Sequence, residues 1–193
     1  MRPRPTTPGT YVIEGHRPYE TRSWPWSKIP WGVPLQLDEA GRHVLFQLGH
    51  GWGPWRRVED LVPFATLKEI KRYFRDLHQE ADARRRLDSD GDGIPDTWVF
   101  NDFGPWVVRY FRDQNRNRAL DLGETRMGEM IHTTPETEAQ VFRRARVELE
   151  ESHGCIHINP LDRDRFLRLG AFEKGILMVV HGPAEIVPEF LSP

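Results

Sequence analysis

Residues 152–160 read Ser-His-Gly-Cys-Ile-His-Ile-Asn-Pro, and this stretch carries the single cysteine of the chain, Cys155. With one cysteine no internal disulfide can form, so Cys155 is a free thiol. A lone cysteine is most often a small apolar residue of the core. Here a glycine precedes the cysteine and a histidine lies two residues away on either side, which favours a chemical role for the thiol.

The best candidate base lies upstream, in the stretch Met-Ile-His-Thr-Thr of residues 130–134. A free cysteine has a pKa of about 8.5, so an imidazole within hydrogen-bonding reach is the simplest group that activates it near neutral pH. We assign this role to His132. Gly154 allows backbone and substrate to approach closely, and the amides around Cys155 are candidate donors to an oxyanion. The pattern predicts an enzyme that transfers acyl groups through Cys155.

The motif resembles the catalytic domain of the L,D-transpeptidases (YkuD type), in which a histidine is followed downstream by Ser/Thr-His-Gly-Cys and an apolar residue. Residues 152–156 match that core at every position, and the resemblance extends from His132 to the last predicted strand. The chain departs from the family pattern at two positions. Thr133 follows the upstream histidine where glycine is common, and His157 stands where the family often has arginine or asparagine. Nineteen residues separate His132 from Ser152, slightly more than is usual.

The resemblance implies a peptidoglycan enzyme. Cys155 would attack the carbonyl between the L-centre of a diamino acid and the terminal D-Ala of a tetrapeptide stem, releasing D-Ala and leaving a thioester. An amine of a neighbouring stem would then give a 3-3 cross-link, water would give L,D-carboxypeptidase activity, and a D-amino acid would give exchange. His132 would take the thiol proton and later assist the acceptor. Ser152 and His153 would shape the site through hydrogen bonds, and His157 would orient the donor stem.

Such a substrate implies a protein of the bacterial cell envelope or a secreted one, although no signal peptide is visible, because the positively charged start lacks an apolar segment behind it. We expect a monomer without an organic cofactor whose partners are peptidoglycan stem peptides. The 27 basic and 29 acidic residues nearly cancel, which gives no electrostatic attraction to nucleic acid. No apolar run approaches the roughly eighteen residues of a membrane span.

Two other classes of function stay open at this point. In a strand, residues at spacing two lie on one face, so His153, Cys155 and His157 together with His132 could bind zinc, as in a zinc-binding protein or a metallohydrolase. Alternatively, the chain is a non-catalytic, calcium-stabilised binding module that has kept the motif. Whether Cys155 reacts at all distinguishes this module from an enzyme.

Two acidic loops are candidate calcium-binding sites. Residues 88–96 read Asp-Ser-Asp-Gly-Asp-Gly-Ile-Pro-Asp and carry oxygen ligands at the odd positions of a calcium loop, with Gly93 at the sharp turn of position 6. The candidate ligands are the side chains of Asp88, Asp90, Asp92 and Asp96 and the backbone carbonyl of Ile94. Position 12 is Val99, so a further ligand must come from elsewhere.

The second loop, residues 113–124, has a ligand at position 12 as well, but Arg118 stands where glycine is usual at position 6. Its candidate ligands are the side chains of Asp113, Asn115, Asn117, Asp121 and Glu124 and the backbone carbonyl of Ala119. Asp and Asn are also common in ordinary turns. The spacing of the oxygen ligands predicts Ca²⁺ in both loops. We expect the ions to be structural, because neither loop carries a nucleophile or a proton shuttle.

The length of the chain predicts a single domain over residues 1–193. Residues 1–62 are rich in short strand patterns, including 10–13 and 44–48 with a hairpin turn at 49–54. Apolar residues at three- and four-residue spacing predict one amphipathic helix over 63–87, followed by a calcium-binding insert at 88–124 and the catalytic segment at 125–193.

Four shorter elements complete the expected fold. Aromatic runs at 98–100 and 106–111 predict a hairpin around the turn at 101–105, helices are expected from Pro135 and over 161–169, and 175–181 is expected as a strand covered on both faces. The fold class is therefore α+β and β-rich. The resemblance further implies a β-sandwich like that of the L,D-transpeptidases, with a long helix, short helices and the calcium-loop insert.

Overall fold

The computed structural model describes residues 5–49 and 52–182, so part of the charged N-terminal start and the middle of the predicted 49–54 turn lie outside the described residues. The chain forms eight strands and five α-helices within these ranges. The strands are β1 Gly9–Arg17, β2 Leu35–Leu37, β3 Val44–Gln47, β4 Trp55–Arg57, β5 Val107–Phe111, β6 Ile131–His132, β7 Ile156–His157 and β8 Leu177–Val180. The helices are α1 Val58–Leu61, α2 Leu67–Leu77, α3 Ala81–Leu87, α4 Pro135–Phe142 and α5 Pro160–Arg168. This confirms the α+β, β-rich class.

Five strands form the larger sheet in the order β7-β6-β5-β1-β8. Its pairs are antiparallel except β6 with β7, which run parallel with Ile131 opposite Ile156 and His132 opposite His157. Parallel neighbours require a crossover, and α4 and the loop after it supply it. This crossover brings the two motifs of the sequence, separated along the chain, to adjacent strands.

The smaller sheet, β2-β3-β4, packs with α2 around an aromatic-rich core. Ile70, Phe74 and Leu77 of α2 are buried there, and Trp98 and Phe100 are fully buried among them. A second core lies on the larger sheet, where Tyr11, Tyr110, Phe172 and their apolar neighbours pack together. Burial of these aromatic side chains is the main source of stability for a chain of this size.

The predicted single helix over 63–87 is wrong, since α2 ends at Leu77 and α3 begins at Ala81. The break occurs at His78, whose buried ring packs against Phe74 and against Phe142 of α4. Arg84 then donates hydrogen bonds of 2.7 Å to the backbone carbonyls of His78 and Gln79, which are no longer bonded within a helix. Contacts with a distant helix therefore end an otherwise helical pattern.

The predicted hairpin of residues 98–111 is also wrong in its first half. Only Val107–Phe111 is a strand, and the backbone of Trp98 instead bonds to Gly32 and Val33, each at 2.8 Å. Segment 88–124 is not an insertion, because it contributes β5, the central strand of the larger sheet, and, outside that strand, the buried aromatic residues Trp98, Phe100 and Phe103. The large indole of Trp98 is better accommodated in the core around α2 than in a two-stranded ribbon.

The prediction that the last strand is covered on both faces is also wrong. β8 lies at the edge of the larger sheet, and Leu177 and Val179 are about half exposed, so the strand is not covered on both faces. The predicted strands at 10–13 and 44–48 and the helices at Pro135 and 161–169 are confirmed by β1, β3, α4 and α5. β3 and β4 pair antiparallel, as a hairpin requires. No helix in the described ranges has the length and apolar character needed to cross a membrane.

Candidate active site

The parallel pairing of β6 with β7 brings the predicted base and nucleophile into one cleft. The amide of Ile156 donates to the carbonyl of Met130 at 2.8 Å, and the amide of Ile158 donates to the carbonyl of His132 at 3.1 Å. Cys155 precedes β7 directly, and His132 ends β6. Both line a cleft of about 290 Å³. The other predicted residues of this cleft are Ser152, His153 and His157.

His132 is buried and neutral. Its Nδ1 lies 2.7 Å from the carbonyl oxygen of Thr133, which can only accept, so Nδ1 carries the proton and Nε2 keeps its lone pair. The ring is 5% exposed and packs against Phe103 and His157, with centroid distances of 4.6 and 4.8 Å. Burial lowers the pKa of His132 to about 4, and the nearby His157 adds to this effect. At neutral pH the imidazole is therefore a free base.

Cys155 is half-buried and packs against the apolar cluster of Phe103, Val107 and Met130. Burial raises the pKa of the thiol, and the Glu129 carboxylate raises it further, while the hydrogen bond with Met130 and the Arg109 guanidinium oppose this. The cleft therefore holds a neutral thiol and a neutral imidazole. These ionisation states suit activation of a thiol by a general base and do not correspond to a preformed thiolate and imidazolium.

These ionisation states predict how Cys155 reacts with iodoacetamide. Because the thiol pKa is raised, the alkylation rate should climb with pH through a midpoint above the ordinary value of about 8.5. Because His132 is protonated only below a pKa of about 4, no imidazolium stabilises the thiolate at neutral pH. The measurement is the alkylation rate across the pH range by intact mass. A reactive plateau that already begins in mildly acidic solution would instead show an ion pair.

Substitution of Glu129 provides a second test of the ionisation of Cys155, because the Glu129 carboxylate raises the pKa of the thiol. Its two carboxylate oxygens accept hydrogen bonds from the hydroxyls of Thr7 at 2.8 Å and Tyr110 at 3.2 Å, and glutamine keeps one of these acceptor oxygens. We expect Glu129→Gln to lower the pKa of Cys155 and to speed alkylation at neutral pH. The exposed Glu39→Gln variant is the control, and equal rates in the two variants would contradict this role for Glu129.

Gly154 and Ser152 form the turn that presents the thiol. Gly154 is buried with a φ of +114°, and a Cβ there would meet Cγ and Oε1 of Glu129 at 3.1 Å, so a side chain would be strained and crowded. Ser152 Oγ accepts from the amide of Gly154 at 3.2 Å and donates to the carbonyl of Cys155. The hydroxyl therefore holds the turn, and the amide of Cys155 within it is a candidate oxyanion donor.

The two other histidines occupy different positions at the cleft. His153 is exposed, whereas His157 packs its ring against His132 and bonds through Nδ1 to the carbonyl of Glu150 at 2.8 Å. β7 covers only residues 156 and 157, so residues 153–157 do not form the continuous strand that the zinc alternative needs. Among the described residues, the only group of three or more His, Cys, Asp or Glu ligands close enough for one ion is Asp88, Asp90 and Asp96.

Thr133, which follows His132 in the chain, belongs to a buried polar network. Thr133 is fully buried, and its hydroxyl donates to Glu138 at 2.5 Å. Glu138 in turn forms an ion pair with Arg163, which joins α4 to α5. Gly104 has a φ of +64°, and a Cβ there would lie 2.1 Å from Oγ1 of Thr133. Because Gly104 has no side chain, the hydroxyl of Thr133 fits beside it.

Part of the lining of the cleft was not predicted from the sequence. Aromatic and acidic side chains form it, and they come from five separate stretches of the chain. Its members are Trp24, Tyr73, Asp102, Phe103, Glu136 and Glu151. The turn at 101–105 and the acidic start of α4 were recognised as local patterns, but nothing local indicated that they meet beside Cys155.

The two acidic loops share one backbone conformation. In the first, Gly91 and Gly93 have φ of +75° and +88°; in the second, Arg116 and Arg118 at the same loop positions both have φ of +61°. Asp88 and Asp113 at position 1 each accept from the position-6 amide, at 3.0 and 2.8 Å. Arginine thus takes the backbone conformation for which glycine is usual.

The donor sets of the two loops differ. In the first, carboxylate oxygens of Asp88, Asp90 and Asp96 lie within 4.8 Å of one another, a spacing that suits a hard cation. Burial raises the pKa of Asp92, and the nearby Asp90 and Asp88 add to this. In the second loop Asp121 is held by the Asn115 and Asn117 amides, at 2.8 and 2.5 Å. Candidate ligands of the second loop therefore bond to one another, whereas carboxylates of the first loop lie close together.

No protein-family model, no curated protein and no solved structure matches this chain.

Proposed function

We propose that this chain is a cysteine acyltransferase of the L,D-transpeptidase type that acts on the tetrapeptide stems of peptidoglycan. The observation that carries the proposal is the β6–β7 pairing, which brings a neutral, buried imidazole and a half-buried thiol into one cleft. The motif at residues 152–156 supports the substrate class. A peptidoglycan substrate would require that the enzyme works in the cell envelope or after secretion.

In the acylation step, Nε2 of His132 accepts the thiol proton while Sγ of Cys155 bonds to the carbonyl carbon of the L,D peptide bond. The carbonyl π electrons move to oxygen, where the amide of Cys155 donates a hydrogen bond. When the intermediate collapses, the C–N bond breaks, the imidazolium returns its proton to the leaving amine, and D-Ala departs. An imidazolium with a low pKa is a strong acid, which suits this protonation.

In the second step the acceptor attacks the thioester carbonyl. An amine, a D-amino acid or water loses a proton to His132 as its nitrogen or oxygen bonds to carbon, and the C–S bond breaks. The thiolate of Cys155 then regains the proton from His132, which restores the resting pair. The identity of the acceptor decides between cross-linking, exchange and hydrolysis.

The test is the intact mass of the protein after mixing with a disaccharide tetrapeptide, with D-Ala release followed in parallel. We expect an adduct on Cys155 equal to the substrate less D-Ala, and one D-Ala released per adduct. The product that forms with water alone, with an added amine or with an added D-amino acid then identifies the reaction. A folded, calcium-loaded protein that gives neither adduct nor D-Ala would overturn the proposal and favour the binding module.

We also propose that the first acidic loop holds a structural Ca²⁺ ion through the carboxylates of Asp88, Asp90 and Asp96, with Asp92 and the carbonyl of Ile94 as further ligands. The ion would offset the repulsion among these carboxylates and tie the end of α3 to the segment that leads to Trp98. The second loop has the same backbone and an Asp113 oxygen, Oδ1, that is buried without a hydrogen-bond partner among the described residues. We propose a weaker site there.

Calcium binding predicts a shift in melting temperature. A ligand at one hundred times its Kd stabilises the folded state by about 2.7 kcal/mol, which raises Tm by roughly 5–10 °C for a chain of this size. We expect Asp88→Asn to remove most of this shift, and Asp82→Asn, on the exposed face of α3, to keep it. The measurement is Tm by calorimetry with Ca²⁺ and with a chelator. If chelation leaves Tm unchanged, the loops are only turns.

A further inference from the structure

We propose that residues 183–193, a segment outside the described residues, cover an apolar groove on one face of the larger sheet. The groove has a volume of about 630 Å³ and is bordered by β6, β7, β8 and the end of α5. Six side chains define it: Ile131, Ile156, Phe166, Phe172, Met178 and Val180. The proposal concerns a surface away from the candidate active site and does not depend on the proposed function.

The groove is almost entirely apolar. Thr6 and His181 are the only polar residues among its described lining residues. Four large apolar side chains that line it are between 39% and 55% exposed: Phe166, Ile176, Leu177 and Val179. A monomeric protein rarely leaves a large contiguous apolar surface open to water, so such a groove calls for a cover.

The course of the chain indicates which segment supplies this cover. β8 ends at Val180, and both Val180 and His181 line the groove. The description of the chain ends at Gly182, so residues 183–193 begin at the edge of the groove. Fully extended, these residues would reach roughly 35 Å. The five strands of the larger sheet span only about 20 Å from the first to the last, so the segment is long enough to cross the groove.

The composition of the segment matches the groove. Residues 183–193 read Pro-Ala-Glu-Ile-Val-Pro-Glu-Phe-Leu-Ser-Pro, with apolar pairs at 186–187 and 190–191 and no lysine or arginine. Its three prolines disfavour a helix and a central strand and favour an extended backbone without a ladder of hydrogen bonds. An extended segment of this kind binds through its side chains, as an apolar groove requires.

The other segments outside the described residues do not fit. Residues 1–4 precede Pro5 and Thr6, which line the groove, but two of these four residues are arginines. Residues 50–51 are His-Gly and belong to the turn between β3 and β4 of the smaller sheet. Only residues 183–193 combine large apolar side chains with a start beside the groove.

The groove also lies behind the candidate active site. Ile131 and Ile156 line the groove, whereas the residues that follow them, His132 and His157, line the cleft. Neighbouring residues of a strand point to opposite faces, so the groove and the cleft share β6 and β7 as a common wall. A segment bound in the groove would therefore support the two short strands that carry the site.

Cross-linking tests the position of the segment directly. Phe190 is replaced in the full chain by p-benzoylphenylalanine, which keeps an aromatic ring and bonds to a nearby C–H group on irradiation. We expect a cross-link within one chain to peptides that carry groove residues such as Phe166 or Met178, located by mass spectrometry after proteolysis. The same photoreactive residue in place of the exposed Glu39 should give no cross-link to these peptides.

Stability provides a second measurement. If the ring of Phe190 is buried in the groove, Phe190→Ser should lower Tm by roughly 3–8 °C. It should also increase the fluorescence of the dye ANS, which binds exposed apolar surface. Leu122→Ser is the control, because Leu122 is fully exposed and does not line the groove, so both readings should stay as in the wild-type protein.

Three results would overturn the proposal. The first is a cross-link between two chains, which would show that a second copy covers the groove. The second is a cross-link confined to peptides outside the groove, and the third is a Phe190→Ser protein with unchanged Tm and dye binding. Neither measurement involves Cys155 or D-Ala release, so failure of this proposal is distinct from failure of the proposed function.

Discussion

Cys155→Ala protein is expected to form no acyl adduct and to release D-Ala at least about a thousandfold more slowly than wild type, because the substitution removes the atom that bonds to the substrate carbonyl. The measurement is D-Ala release with the disaccharide tetrapeptide, alongside intact mass. Residual release at a substantial fraction of the wild-type rate would show that another group is the nucleophile.

The control for this substitution is folding. Cys155 is half-buried against Phe103, Val107 and Met130, so removing its sulfur should cost on the order of 1 kcal/mol and lower Tm by only a few degrees. A second control, Glu39→Gln, should keep both adduct and release, since its side chain is exposed and outside the cleft. Loss of activity with an unchanged melting transition would assign the loss to chemistry.

The second large effect concerns stability. Arg163→Met is expected to destabilise the protein by about 3 kcal/mol, because it leaves the Glu138 carboxylate buried without its cationic partner. The side chains of Arg163 and Glu138 are only 10% and 16% exposed, so solvent screens the pair little. The measurement is the free energy of unfolding in urea. The exposed Arg165→Met, on the same helix, should change stability by less than about 0.5 kcal/mol.

Two further measurements test the explanation. The double variant Glu138→Leu/Arg163→Met should recover much of the lost stability, because no uncompensated charge remains. Burial already raises the pKa of Glu138 in the wild-type protein. A carboxyl whose pKa is raised on folding destabilises the folded state as pH rises through that pKa. The defect of Arg163→Met should therefore be largest at neutral pH and should diminish in acid; a defect independent of pH would point to lost packing instead.

This network also links stability to the site. Glu138 accepts from Thr133, whose carbonyl fixes the protonated nitrogen of His132. Disturbing the ion pair therefore disturbs the residue that orients the base, although none of the three network residues is assigned a role in the chemistry.

Local patterns predicted several parts of the fold because the physical causes are local. Thr134 caps α4 in a capping box with Thr137, and Pro135 follows at the first helical position, which is why the start of this helix was predictable. The side chain of Asn159 caps α5 in a similar way. The pairing partners of strands are set by residues far away in the chain, so the first half of the expected 98–111 hairpin and the position of β8 were wrong.

By itself, the sequence determined which groups are available for chemistry: one thiol, an upstream imidazole, a glycine before the thiol, and acidic loops whose spacing suits calcium. These follow from residue type and short-range geometry alone. Only the tertiary structure decided that β6 and β7 are neighbours, that Cys155 and His132 are a neutral thiol and a neutral imidazole, and that Asp102 and Glu136 line the same cleft. The physical reason is that burial and ionisation depend on which distant surfaces meet, because desolvation and charge repulsion act through space and not along the chain.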